Sequence, residues 1–417
     1  MYFSLNKIIQ IFIFFIPLFL IFSIFVADLL VFLVALFFLT NQLLNKNYKV
    51  FINKYFVFFF IFWIYLIVNA LFSYDLNLSL SRALPYIRFG LLFLAISHYA
   101  QDIKFQNKYF KFILLISIVI CFDGLIQFFL GYNLLGHSVN HVSRISSFFN
   151  EELVLGRFLL SAYPLFLISL FYIKSNKIIT NQFFQIFLLV LYSFTIYLSG
   201  ERTAFFNFLL FNLLLIIIFF NKKFIKKIII FLCIFILCIL TSSLHNKNIL
   251  ERYLSTKSIF HYDKITVFSQ THEKHYKSAY KIFQDNKIFG SGIKTFRQIC
   301  KKPKYHPEGC ATHPHNIFMQ FLSELGLIGM LFYFIAFSYF IISLLKLLIK
   351  KIYYKKFNQK NSIKAVLIIS MIVTLWPLSP SGNYFNNWLS ILNILPFGFL
   401  IFYEKNLKNL NLSESKN

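Results

Sequence analysis

His313 and His315 bracket Pro314 just ahead of a long apolar run, and Asn316 follows them. A neutral imidazole accepts a proton near neutral pH, which is what activating a hydroxyl nucleophile requires. Pro314 biases His313 towards extended backbone. A histidine at such a junction also serves as a plain polar helix cap, and the residues alone leave both readings open. Two histidines two positions apart could ligate a metal, but no cluster of carboxylates or cysteines completes a site, so no metal is expected.

The second chemical set is the arginines: Arg82, Arg88, Arg144, Arg157, Arg202, Arg252 and Arg297. A guanidinium is planar, permanently charged and grips phosphate with paired donors, whereas an ammonium is a point charge. In RISSFFNEELVLGRF, Arg144 and Arg157 stand beside Glu151 and Glu152 at the mouth of an apolar segment, where charge is costly and usually functional. An internal ion pair of Arg157 with either carboxylate is the alternative there. SGERTAFF, from Ser199, reads as a very short turn between two apolar segments. Gly200 allows the reversal, and Arg202 opens the next helix, where free N–H groups and the dipole favour an anion. Arg202 and Arg144 are the first choices for holding a phosphate, with Arg88 next. The bland alternative pairs these arginines with nearby carboxylates or lipid phosphates.

The elements that must position these groups are membrane helices. The chain has 417 residues, 58% hydrophobic and 13% charged, about half the charge of a typical soluble protein. Its apolar residues fall in runs long enough to span a bilayer. About twelve spans are predicted, near 8–23, 25–43, 54–73, 83–99, 110–130, 153–173, 182–199, 203–220, 227–243, 325–347, 364–379 and 387–403. Pro17 and Asp28 argue against one helix over 8–43. The first run is too long for a cleaved signal peptide and reads as a retained span.

The formal charge of +26 fits lysines flanking spans. Nucleic acid is not expected, because no basic run interleaves with aromatics outside the apolar segments. With the N-terminus inside, the inner segments hold Lys46, Lys49 and Lys54; Lys104, Lys108 and Lys111; Lys174 and Lys177; Lys222, Lys223, Lys226 and Lys227. Lys346 to Lys364 and the tail, with Lys405, Lys408 and Lys416, follow suit. Every arginine then falls on the outer side. The predicted organisation is helices over 1–243, a large outer loop over 244–316, helices over 317–404 and an inner tail over 405–417.

Within the loop, Thr271 is the expected cap of an amphipathic helix with Glu273 in its first turn and Tyr276, Tyr280 and Phe283 on one face. Gly290 and Gly292 stop it. Cys300 and Cys310 form a disulfide if the outer compartment is oxidising, or remain free thiols. Cys121, Cys233 and Cys238 read as apolar filler.

Taken together, these motifs resemble the O-antigen ligase family, whose superfamily includes O-antigen polymerases and protein O-oligosaccharyltransferases. The resemblance rests on His315–Asn316 followed by Gly326 and Gly329 with Glu324 between, on the Ser199 turn, on DNKIFGSGIKTF, on RISSFFNEELVLGRF and on SPSGNYFNNWLSI. Ser147 stands where relatives often have glycine. Arg157 stands where many have a small residue, so the resemblance does not carry it into the implied site.

The family implies an all-α integral membrane protein of GT-C-like glycosyltransferase architecture with one large periplasmic loop. It implies a multi-pass protein of the bacterial inner membrane, both termini cytoplasmic and the active site periplasmic. The donor would be a glycan on undecaprenyl diphosphate, and the acceptor a hydroxyl of lipid A–core or another glycan. No cofactor and no metal are implied, and direct attack inverts the anomeric centre. His315 would be the base, assisted by Glu152. Arg202, Arg144, Arg88, Asn316 and His313 would bind substrate. Polymerase and protein oligosaccharyltransferase remain the related alternatives. A lipid-linked glycan flippase is the alternative of another class, and Asp28 and Asp123 are the few deep charges that would serve it.

Overall fold

Each predicted apolar segment contains a helix in the computed structural model, which describes residues 2–139, 141–172, 181–220, 222–254, 260–261, 264–265, 269–305, 309–354 and 357–414. Lys174, Lys177 and Lys416 lie outside the described residues. The first half is α1 (Tyr2–Phe22), α2 (Ile24–Leu44), α3 (Lys54–Leu71), α4 (Leu76–Ala83), α5 (Ile87–Tyr99) and α6 (Ile103–Leu130). After a looped stretch come α7 (Leu155–Tyr172), α8 (Gln182–Leu198), α9 (Arg202–Phe219), α10 (Lys222–His245) and α11 (Lys247–Leu254). The last part is α12 (Gln270–Asp285), α13 (Phe296–Ile299), α14 (Ile317–Gln320), a π turn at Phe321–Leu325, α15 (Gly326–Tyr354), α16 (Gln359–Thr374) and α17 (Asn387–Glu414).

Among the described residues, nine helical stretches are long and apolar enough to cross a membrane. The expected dozen is therefore not reached by length. The difference lies in α7, α8 and α16, which are shorter. α16 is buried at nearly every position from Asn361 to Val373, and α7 is packed almost as fully. A helix wrapped by protein on all sides is apolar all round and need not match the full bilayer thickness. α10 is the opposite case, with most of its apolar side chains turned outward as a lipid-facing helix would have them. Beyond isolated bridges, β pairing among the described residues is one two-residue ladder, Phe260↔Ile265 and His261↔Lys264.

The break between the first two helices falls at Ser23, whose hydroxyl accepts the Val26 N–H at 3.3 Å. Pro17 lies within α1 and Asp28 within α2, so neither breaks the chain. In the large loop, Ser269 rather than Thr271 caps α12, accepting from the His272 N–H, and Glu273 does occupy the first turn. The buried face of α12 is His275, Tyr276, Ala279 and Ile282, while Tyr280 is exposed. A small separate core explains the phase. Ala279 and Ile282 pack with Phe296, Ile299, Cys300 and Tyr305, and Cys300 is disulfide-bonded to Cys310.

The two ends of the bundle differ in charge type. At one end Lys54 Nζ meets Glu404 Oε1 at 3.0 Å, Lys364 Nζ approaches the same oxygen at 3.7 Å, and Lys351 donates to the Ile218 and Phe220 carbonyls ending α9. The start of α17, about 25 Å away at 1.5 Å per residue, lies at the other end, where the arginines gather.

Candidate active site

Two glycines set the frame. Gly290 (φ 75°) and Gly326 (φ 63°) meet backbone to backbone, and a Cβ on Gly290 would lie 2.5 Å from both Glu324 O and Gly326 N. Only glycine fits a left-handed residue at such an approach. Along this seam the Ser291 and Gly292 N–H groups donate to the Ser323 and Glu324 carbonyls, each at 2.9 Å. A π turn leaves carbonyls without their usual helical partners, and the Gly290–Gly292 segment supplies them. The seam thus joins the two glycine motifs read in the sequence and seats residues 291–299 beside the helix that follows His315.

His315 itself is left-handed (φ 57°), an uncommon and strained state for a non-glycine residue. Its carbonyl accepts the Ser381 N–H at 2.8 Å. Asn316 caps α14 by accepting from the Met319 N–H, and its amide donates to the carbonyls of Pro377 and Ser379 at 2.8 and 3.1 Å. The buried Asn316 side chain is thus occupied in holding the histidine's backbone to the loop before α17 and does not line the cavity beside it.

That cavity has a volume of about 1120 Å³ and lies at the arginine-bearing end. Its wall draws on the α1–α2 junction, residues 135–157, the start of α9, the large loop, residues 312–315 and residues 380–389. The motif patches, far apart in sequence, therefore face one space. Arg144, Arg157, His313, His315 and Glu152 line it. Arg202 and Arg88 do not. Arg202 sits exposed at the first residue of α9. Arg88 is paired with Asp28, Nη2 to Oδ1 at 2.8 Å. The cavity instead takes in Arg157, which sequence comparison set aside, together with Arg297, Lys294, His272 and Glu201.

Arg144 ties two of the patches together. Its Nε donates to Ser199 O at 3.2 Å and its Nη2 to Leu153 O at 2.8 Å, and Glu201 lies 3.8 Å away. Glu201 also accepts the Gly156 N–H at 2.8 Å, at the start of α7. Burial pushes its carboxyl up to about 7, against the pull of Arg144. The ion pair of Arg157 with Glu151 or Glu152, the alternative that the sequence left open, is absent among the described residues. Arg157 instead reaches Asn393 at 3.5 Å, and its Nε is buried without a hydrogen-bond partner there, as is Arg297 Nε. Buried donors left unmatched in this way point to a group that arrives from outside the chain. Ser147, in the relatives' glycine position, is left-handed (φ 52°) and is held by Gln127 and Asp123, the latter at 2.6 Å.

Four imidazoles crowd one side. Ring centroids of His313, His275 and His272 lie 4.0, 5.2 and 5.6 Å from that of His315. Burial, then the neighbouring His275 and His272, depress His315 to about 4. Burial, then His315, depress His313 to about 3, against the Ser381 carbonyl. Both rings are therefore neutral at physiological pH. Among the described residues these rings, like every other group of three or more His, Cys, Asp or Glu side chains, are not placed so that they could hold a metal ion.

Glu201 and Lys294 both stood inside motifs quoted from the sequence, yet neither carried a signal of burial. Their roles depend on neighbours distant in sequence, Gly156 forty-five residues from Glu201 and Glu324 thirty from Lys294. Residues 187–334 match the family described as O-antigen ligase, which bears out the resemblance carried by the motifs. The matched stretch runs from α8 into α15 and contains the Ser199 turn, the large loop and His315. None of the curated proteins compared with the chain matches it.

Proposed function

We propose that this protein is a glycosyltransferase of the O-antigen ligase type, moving a glycan from undecaprenyl diphosphate to an acceptor hydroxyl at the periplasmic face of the bacterial inner membrane. The single observation that carries the reading is a cavity lined both by guanidiniums whose buried Nε atoms lack a partner among the described residues and by a neutral, left-handed histidine. The family match supports ligase or polymerase chemistry in general. The cytoplasmic placement of both termini follows from the lysine map.

His315 takes the proton of the acceptor hydroxyl as that oxygen attacks the anomeric carbon. The carbon–oxygen bond to the diphosphate breaks on the opposite side, and the bond's electron pair leaves with the phosphate. The anomeric centre is inverted. Arg144 and Arg157 hold the diphosphate and stabilise the charge it gains. An anion in the cavity also favours the imidazolium, so donor binding raises the basicity of a histidine that is a weak base in the empty site. Glu152, exposed at the wall, orients substrate, and no step needs a metal or cofactor. Arg202 and Arg88 act from outside the wall, Arg202 by guiding the anion inward.

Lipid A–core is the favoured acceptor, and polymerisation of lipid-linked repeats is the second reading. A flippase is disfavoured because its two deep acids are already engaged. Asp28 pairs with Arg88, and Asp123 accepts from Ser147 Oγ at 2.6 Å and the Leu134 N–H at 2.8 Å. A deletion strain tests the reading. Full-length polymer accumulating on undecaprenyl diphosphate is the ligase result, and single repeats attached to core are the polymerase result. Unchanged surface polysaccharide with no lipid-linked intermediate would refute both.

A further inference from the structure

The cations that line the cavity fall into two groups. Arg144 and Arg157 come from the start of α7 and the stretch before it, and share Glu201. Lys294 and Arg297 come from the large loop. The charges acting on Lys294 include Arg82, Arg297, Glu324 and Arg88, whereas those acting on Arg144 include Glu201, the Tyr253 hydroxyl and Arg252. The two sets share no member.

The second group is built rather than incidental. Lys294 is left-handed (φ 61°) and almost wholly buried, yet lines the cavity. Its ammonium has no ion pair among the described residues. The segment carrying it is pinned at several points. Tyr74 N–H donates to Ser291 O at 2.9 Å, Ser79 Oγ to Ile293 O at 3.1 Å and Gln298 Nε2 to Asp75 Oδ2 at 2.8 Å. Behind it, in the π turn, Glu324 is fully buried, and its carboxylate accepts from Gln320 Nε2 at 2.9 Å. The same Gln320 bonds Asn383 of the cavity wall at 3.0 Å. Holding a lysine ammonium under cover is costly unless an anion answers it. Glu324 opposes that cost only in part, from beyond ion-pair distance, so burial still pulls the ammonium down to about 8, and the lysine lines the cavity. Arg82 and Arg88 add positive charge nearby, and of the two only Arg88 has a carboxylate partner among the described residues, Asp28.

Position relative to the base decides which substrate this group serves. Arg297 acts on His313, whose ring touches His315. A general base must reach the acceptor's hydroxyl, so the cations beside the histidines lie on the acceptor's side. Arg157, by contrast, sits inside the first turn of α7, where a lipid-borne donor would present its phosphates.

We propose that Lys294 and Arg297 form a second anion-binding lobe that receives an acceptor carrying its own phosphate, while Arg144 and Arg157 hold the donor diphosphate. The inference rests on the glycosyltransfer reading above and narrows its acceptor to a phosphorylated glycan, against a neutral glycan or a protein hydroxyl. Glu324 is the positioning residue: its carboxyl accepts the backbone N–H groups of Lys294 and Phe296 and favours the charged form of Lys294.

The test uses the full chain reconstituted in vesicles with a lipid-linked glycan donor. The acceptor is an oligosaccharide glycolipid supplied with its phosphates and again after phosphatase treatment. The wild-type protein is expected to show an acceptor KM about tenfold lower for the phosphorylated form, the worth of one charge-assisted contact. Lys294→Gln should erase that preference and leave the donor KM within about twofold, and Lys294→Arg should restore most of it. Thermal melting of each variant confirms folding. Equal KM values for the two acceptors, or a donor KM that rises in place of the acceptor KM, would overturn the inference while leaving glycan transfer intact. A wild-type protein that transfers glycan to neither acceptor fails the proposed function, and this inference falls with it.

Discussion

Replacing Gly290 by alanine isolates the seam that carries the site. The residue is left-handed (φ 75°), and a Cβ there would meet the Glu324 carbonyl oxygen and the Gly326 nitrogen at 2.5 Å. Both are backbone atoms, so no side chain can swing aside. Two costs add. A left-handed alanine costs about 1–2 kcal/mol, and forcing atoms into a packed contact costs about 1–3 kcal/mol more. Gly131→Ala is the matched control, because Gly131 is equally left-handed (φ 81°) but has nothing within 4 Å of the added atom. The control should show the strain alone. Thermal unfolding of both purified proteins in detergent is the assay, and Gly290→Ala should melt at least about 2 °C below Gly131→Ala. It should also lose most transfer activity, because the seam sets residues 291–299 against His315. Equal melting points would mean that the two backbones are not in contact and that the frame proposed for Lys294 and Arg297 is wrong.

Three further outcomes are expected. His315→Ala should abolish transfer while the protein remains in the membrane at normal abundance, and retained turnover would remove its role as base. Arg157→Gln should lower kcat/KM at least about tenfold, as the loss of a charged contact to the leaving group predicts, whereas Arg202→Lys should cost less because Arg202 lies outside the wall; the reverse ranking in a reconstituted assay would restore the helix-start argument. His313 and His315 are held below the ordinary histidine range, to about 3 and about 4. The unfolded chain therefore takes up protons near 6.5 that the folded chain refuses, and melting temperature should fall as pH drops from 6.5 towards 4, an effect that His315→Gln should reduce.

The membrane helices were legible because length and apolarity alone define them. The contrast between lysine and arginine likewise located the site's end of the bundle without any coordinate. Which arginines enter the cavity was not legible. Arg202 occupies the helix start that sequence assigned to it, but its side chain stays exposed outside the cavity that its neighbours Glu201, Thr203 and Ala204 line. Arg157 was discounted because relatives carry small residues there, yet its position one turn into α7 points it at the cavity. The phase of α12 failed for a similar reason. Tyr276, Tyr280 and Phe283 make a plausible stripe, but the core they would meet is built by Phe296, Ile299 and the Cys300–Cys310 loop, so burial shifts to Ala279 and Ile282. Ser269 and Thr271 are both sound caps by residue type, and Ser269 prevails while also contacting His272 Nδ1 at 2.7 Å.

The bonds from Asn316 to Pro377 and Ser379, with that from Ser381 to His315, have a bearing on how such proteins can be recombined. His315 and the loop before α17 are separated by more than sixty residues, yet they behave as one part. A chimera that imports another relative's loop alone would carry the wrong mounting for its histidine. Residues 312–320 and 377–386 should be exchanged as a pair, and the same pairing limits insertions: either stretch can lengthen only where these three bonds are left in register.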